Sequence, residues 1–141
     1  MGCAIGRRQF ITQGTLLAAA AALAACGVAG SDFGTAPKFS SPTVLKLSDY
    51  PSLASVGGVA VLTLVNSPFA IVRTSSATFV TLSRICPHQG SVVTPVSGGF
   101  TCPNHGAQFN ASGQWVGGQP TSGLHSYTTV YDATAGTLTV S

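Results

Sequence analysis

The chain is 141 residues long, enough for one domain and an N-terminal segment. Only 6% of its residues are charged, six Lys or Arg against three Asp and no Glu. Beyond Cys26 the charges are Lys38, Lys46, Arg73 and Arg84 against Asp32, Asp49 and Asp132, which excludes the clustered basic surface that a nucleic-acid partner needs.

The first thirty residues, "MGCAIGRRQFITQGTLLAAAAALAACGVAG", read in three parts. Arg7 and Arg8 make a positive head, followed by Gln9, Phe10 and Ile11, which resembles a twin-arginine export signal. An apolar run from Thr15 to Ala25 comes next. It is short of the roughly 20 residues a helix needs to cross a bilayer, so a signal peptide over 1–25 is expected. "LAAC" at 23–26 resembles a bacterial lipobox, which makes Cys26 the lipidated first residue of the mature chain. The alternative is an uncleaved N-terminal helix with an incidental Cys26. Residues 26–42 are rich in Gly, Ser and Pro and read as a flexible lipidated tether.

From residue 43 the pattern is β. "TVLKL" (43–47), "VAVLTLV" (59–65), "FAIVR" (69–73) and "ATFVTLS" (77–83) are rich in β-branched and aromatic residues. Gly57-Gly58, Asn66-Ser67-Pro68 and Thr74-Ser75-Ser76 separate them as turns. "SYTTVYD" (126–132) and "GTLTVS" (136–141) read as a closing hairpin. The expected fold is all-β, an antiparallel sandwich or barrel. Its base uses 43–83 and 126–141, with a subdomain over about 84–125 inserted between them.

That insert holds "CPHQGS" (86–91) and "CPNHGA" (102–107). With Cys3 in the signal and Cys26 lipidated, Cys86 and Cys102 are the cysteines of the folded part. A disulfide between them would leave His88 and His105 as coincidence. Zinc could take two cysteines and two histidines, but zinc fingers group like ligand with like along the chain, and here each loop supplies one of each. That suits two irons, one bound by the two thiolates and the other by the two imidazoles. Residues 89–101 are long enough for a strand pair to join the loop tips.

"C-P-H-x-G" followed by "C-P-N-H-G" resembles the Rieske [2Fe–2S] motif. The resemblance continues through "CPNHGAQFNASGQWVGGQPTSGLHSY" (102–127), as a second cluster loop, a strand, and a Gly/Pro loop that covers the cluster. It implies a Rieske fold for 43–141 and a [2Fe–2S] cluster as cofactor. Cys86 and Cys102 would hold the inner iron, and His88 and His105 the outer, more exposed one. Pro87 and Pro103 stiffen the loops. Gly90 and Gly106 permit turns that bring backbone N–H groups toward sulfur, which raises a cluster's potential.

The sequence also departs from this family. Relatives in cytochrome bc-type complexes have an inter-loop disulfide where Ser91 and Asn104 stand here. They also have serine and tyrosine hydroxyl donors where Ala107 and Phe109 stand. With those donors absent, the expected potential lies in the lower half of the range of about −150 to +300 mV open to histidine-ligated clusters.

His125 reads as a surface or edge-strand residue, Trp115 as a packing residue, and Asn104 as a neighbour of the site. No general base, nucleophile or substrate pocket can be read. The expected function is one-electron transfer with a redox partner protein at the outer face of the cytoplasmic membrane, anchored by lipid on Cys26. One alternative is the Rieske subunit of a periplasmic oxidoreductase or a bc-type quinol-oxidising complex. The other is a structural zinc lipoprotein.

Overall fold

The computed structural model describes residues 36–141. The expected signal peptide and Cys26 therefore lie outside the described residues. Among the described residues eleven strands form three antiparallel sheets. The first joins β1 (Thr43–Lys46), β11 (Thr137–Val140) and β10 (Thr129–Asp132) in the order β1-β11-β10. The second runs β2 (Val59–Leu64), β3 (Ser67–Arg73), β4 (Phe79–Ser83) and β9 (Ser126–Tyr127). The third is the insert, β5 (Thr94–Val96), β6 (Gly99–Thr101), β7 (Gln108–Asn110) and β8 (Trp115–Gly117). Among the described residues no sheet closes on itself, so the layered arrangement holds and the barrel does not.

The two-residue period of a strand explains how the layers stack. Along β3, Ala70 and Val72 face one way and Ile71 the other. Ile71 joins Leu53, Ala60, Phe79 and Leu138 in a core shared with the first sheet. Ala70 and Val72 join Leu82, Val93, Phe100, Phe109, Leu124 and both insert cysteines in a second core. The middle sheet is thus a wall with a core on each face, and β3 is buried at four consecutive positions, Phe69–Val72.

The turn predicted at 66–68 begins one residue earlier in the structure. The chain reverses at Val65 and Asn66, both at positive φ (43° and 58°), and Leu64 already pairs with Ser67. Positive φ at both turn residues is the type I′ pattern that matches the twist of a hairpin. Ser67 and Pro68 therefore belong to β3, where Pro68 uses its carbonyl to accept the Arg84 N–H at 2.9 Å. Where the sequence predicts a strand over 43–47, Leu47–Asp49 instead turns into a short 3-10 helix, followed by a second at Pro51–Ala54.

The end of the expected tether is docked onto the fold. Phe39 packs against Phe69 and Tyr127, with ring centroids 5.4 and 5.2 Å apart. The Tyr127 hydroxyl donates to the Pro37 carbonyl at 2.7 Å. Burial pushes the Tyr127 phenol up to about 12. A phenol ordinarily ionises near pH ~10, so the folded state holds this proton more tightly than the unfolded chain. The linked stability is complete below pH ~10 and is lost as pH climbs toward 12. Thermal unfolding followed across that window should show a falling midpoint, and Tyr127→Phe should flatten the fall.

Candidate metal centre

Both predicted ligand loops sit at the tip of the insert, and the hairpin of β5 and β6 joins them as expected. The loops share one backbone design. In the first, the Cys86 N–H donates to the Ser91 carbonyl at 2.7 Å and the Gly90 N–H to the Cys86 carbonyl at 2.8 Å. In the second, the Cys102 N–H donates to the Ala107 carbonyl at 2.8 Å and the Gly106 N–H to the Cys102 carbonyl at 2.9 Å. Each is a six-residue knuckle that opens on Cys-Pro and has glycine at its fifth position. Gly90 and Gly106 take φ of 76° and 72°, a left-handed conformation that glycine adopts without strain.

The knuckle geometry aims backbone N–H groups at sulfur. Cys86 sulfur receives them from His88 and Gln89, and Cys102 sulfur from Asn104 and His105. The two sulfurs also lie within hydrogen-bond reach of each other. Both cysteines are free and buried, so the disulfide alternative is not formed. Burial pushes the Cys86 thiol up. Burial acts the same way on Cys102, but the N–H donors, the Cys86 thiol and the Ser91 hydroxyl outweigh it and hold that thiol below its ordinary range. Donors that favour thiolate are also suited to anionic sulfur bound to metal.

The histidines form a second pair. His88 and His105 meet edge to face, with ring centroids 4.8 Å apart and planes at 83°. His88 is half-buried and His105 exposed. The Nδ1 atom of His88 is fully buried and has no hydrogen-bond partner. A buried, unpartnered ring nitrogen costs stability unless it binds something.

The four donors thus sort into a buried sulfur pair and a more exposed imidazole pair. Among the described residues no group of three or more His, Cys, Asp or Glu side chains is placed to hold a single metal ion. A zinc tetrahedron would need all four on one centre. A two-iron cluster needs only two protein ligands on each iron, because its sulfides supply the rest. The residues present therefore fit a [2Fe–2S] cluster better than zinc.

The remaining residues of interest fall around this tip. Ala107 and Phe109 are buried in the core beneath the loops and carry no donor, as the sequence implied. The Asn104 side-chain N–H donates to the Ser91 hydroxyl at 2.6 Å, a contact between the loops that the sequence did not reveal. Gly118 begins the Gly/Pro segment expected to cover the cluster and lies against the second loop; a Cβ on it would stand 1.8 Å from the Gly106 carbonyl oxygen. Trp115 is 40% exposed, so it is neither core nor shield. Its indole N–H donates to the Gln119 carbonyl at 3.0 Å and braces the covering segment. His125 is exposed, stacks edge-on against Tyr127 at 4.7 Å, and is not part of the ligand set.

Comparison with known proteins gives the chain a family. The model of the Rieske [2Fe-2S] domain family matches residues 43–128. The chain is similar to the cyanobacterial plasma membrane Rieske protein PetC3 from Synechocystis PCC 6803, at 26% identity and a TM-score of 0.50. That match covers 57% of this chain and 83% of that one. It is also similar to the quaternary ammonium Rieske monooxygenase CntA, at 16% identity and a TM-score of 0.54, over 63% of this chain. This chain spans 28% of that enzyme's length. A chain from the complex of reduced oxygenase and oxidized ferredoxin in carbazole 1,9a-dioxygenase is 92% covered, and 70% of this chain matches it at 23% identity and a TM-score of 0.51. The last two likenesses concern the fold alone. No curated protein compared with the chain matches its sequence.

Proposed function

This chain belongs to the Rieske [2Fe-2S] domain family and its cofactor is a Rieske [2Fe–2S] cluster, and from that premise we propose that it is a one-electron carrier at the outer face of the cytoplasmic membrane. The observation that carries the reading is the sorting of four donors into a buried Cys86–Cys102 pair and an exposed-side His88–His105 pair. The two cysteines would hold one iron and the two histidines the other. When bound, the cluster supplies a site that accepts and releases a single electron.

The chain's own residues set the conditions for that exchange. The N–H groups of His88, Gln89, Asn104 and His105 stabilise negative charge on the ligand sulfurs. The core beneath, from Val93 to Phe109, keeps water from them. His105, the exposed member of the ring pair, presents its edge to a redox partner protein.

Export and anchoring are part of the proposal. Arg7-Arg8 and "LAAC" support a twin-arginine lipoprotein held by Cys26, and the relative at 26% identity is described as a plasma membrane protein. Direct electrochemistry of the holoprotein tests the carrier role. A reversible one-electron wave in the lower half of the range of about −150 to +300 mV is expected; zinc uptake with no wave would overturn it. Cys26→Ala should release the protein from membranes, and a variant that stays bound refutes the lipid anchor.

A further inference from the structure

Among the described residues six strands lie at sheet edges, and five of them carry a device that discourages further pairing. β1 ends on Lys46 and β10 on Asp132, both exposed charges. β5 is three residues long with Pro95 at its centre. β8 is equally short, and its register with β7 shifts between Gln108 and Phe109. β9 has two residues, and Phe39 is docked on its Tyr127. β2 is the exception. It has six residues, pairs with β3 in unbroken register, and holds no charge, proline or bulge. No charged residue occurs between Asp49 and Arg73.

The ladder shows which backbone groups of β2 are left over. The two-residue turn at Val65 and Asn66 makes Leu64 and Ser67 a hydrogen-bonded pair. At the other end the Arg73 N–H donates to the Gly58 carbonyl at 3.0 Å. Alternation between these ends turns the N–H and C=O groups of Ala60, Leu62 and Leu64 toward β3, and those of Val59, Val61 and Thr63 outward. The register agrees. Thr63 stands opposite Pro68, which has no N–H to give and whose carbonyl accepts from the Arg84 N–H, just beyond β4. The side chains along this edge are apolar: Val61 is 51% exposed, and Val56 and Val65, exposed as well, flank the strand.

We propose that β2 pairs antiparallel with β2 of a second copy of this chain, joining two four-stranded sheets into one. The strand complements itself about its centre. Val61 of one copy lies opposite Val61 of the other, and Val59 lies opposite Thr63 on either side, valine and threonine being nearly the same shape. Cross-strand pairs of β-branched residues stabilise a sheet, whereas like charges set opposite each other destabilise it. An edge without charge meets its own copy with no such repulsion. The twofold arrangement uses up both open edges, so the assembly closes at a dimer. β2 and β9 lie at opposite edges of the middle sheet, and the insert leaves and rejoins that sheet through β4 and β9. Pairing through β2 therefore leaves the metal centre of each copy open to a redox partner, and the proposal does not depend on which metal that centre holds.

Sedimentation equilibrium of the holoprotein, in detergent density-matched to the solvent so that only protein is weighed, tests the pairing. The unaltered protein should show monomer and dimer in a concentration-dependent equilibrium. Val61→Lys sets two like charges opposite each other and should raise the dissociation constant at least tenfold. Thr63→Pro should do the same while the circular dichroism is kept, because the N–H it removes serves no bond within the copy. Val130→Lys, at an exposed position of another sheet, should leave the equilibrium unchanged. Hydrogen exchange reads the register: the amides of Val59, Val61 and Thr63 should slow as concentration rises, while those of Ala60, Leu62 and Leu64 are protected throughout. A protein that stays monomeric at every concentration overturns the proposal and leaves the edge to a different chain. A dimer that Thr63→Pro leaves intact also overturns it, since that dimer is held by side chains alone. So does a dimer lost in Val130→Lys, which places the interface on the other sheet. If Thr63→Pro does not fold, Val61→Lys decides, and an unmoved dissociation constant there overturns the proposal.

Discussion

Cys86→Ser or Cys102→Ser should strip the protein of iron and acid-labile sulfide while the base sheets stay folded. Serine is nearly isosteric, but its hydroxyl is a far weaker metal ligand than thiolate and does not ionise near neutral pH. Both positions are buried within the core shared by the middle sheet and the insert. Either change therefore also leaves a buried hydroxyl whose surroundings were arranged for an anionic sulfur. The damage should stop at the wall formed by β3. On its far side, Leu53, Ile71, Phe79 and Leu138 make their own core, with no contribution from the loops. Metal analysis should find iron at background. Far-UV circular dichroism should keep its β signature, and hydrogen exchange should speed up in 84–125 much more than in 59–73. Retention of full iron by either variant would remove that cysteine from the ligand set.

Gly118→Ala should shorten the lifetime of the oxidised cluster in air by an order of magnitude or more. Two constraints act at this position. The backbone sits at φ of 71°, where an L side chain is strained. A Cβ there would also lie 1.8 Å from the Gly106 carbonyl oxygen. The obstacle is backbone, not a flexible side-chain end, so one of the two segments must move. Gly106 is fixed by its bond to the Cys102 carbonyl at 2.9 Å, which leaves the covering segment to lift. Trp115 braces that segment only through the single indole bond to Gln119. Decay of the visible absorption of the cluster, timed for the variant beside the unaltered protein, gives the ratio. Equal lifetimes would show that the segment does not protect the site.

Much of the fold is legible because its causes are local. The strands of the base are written in runs of β-branched and aromatic residues, and the period of two along β3 carries the two-core arrangement. The ligand set is legible because each loop compresses its cysteine, proline, histidine and glycine into six residues. What escaped depends on distant segments meeting. Ser91 and Asn104 belong to different loops, and only the folded hairpin brings them to 2.6 Å. The docking of Phe39 needs Phe69 and Tyr127, which are far along the chain. β8 was not foreseen, because "WVG" is too short to show a period and forms only by pairing with β7. Pro68 suggested a turn for sound local reasons, yet Val65 and Asn66 complete the reversal before it.

The most direct test of the account is pulsed EPR of the reduced holoprotein, read for nitrogen couplings. The account predicts a rhombic spectrum with two strongly coupled imidazole nitrogens, one lost in His88→Ala and one in His105→Ala where those variants retain iron. A spectrum without strong nitrogen coupling, or a colourless protein that binds zinc in place of iron, would contradict it.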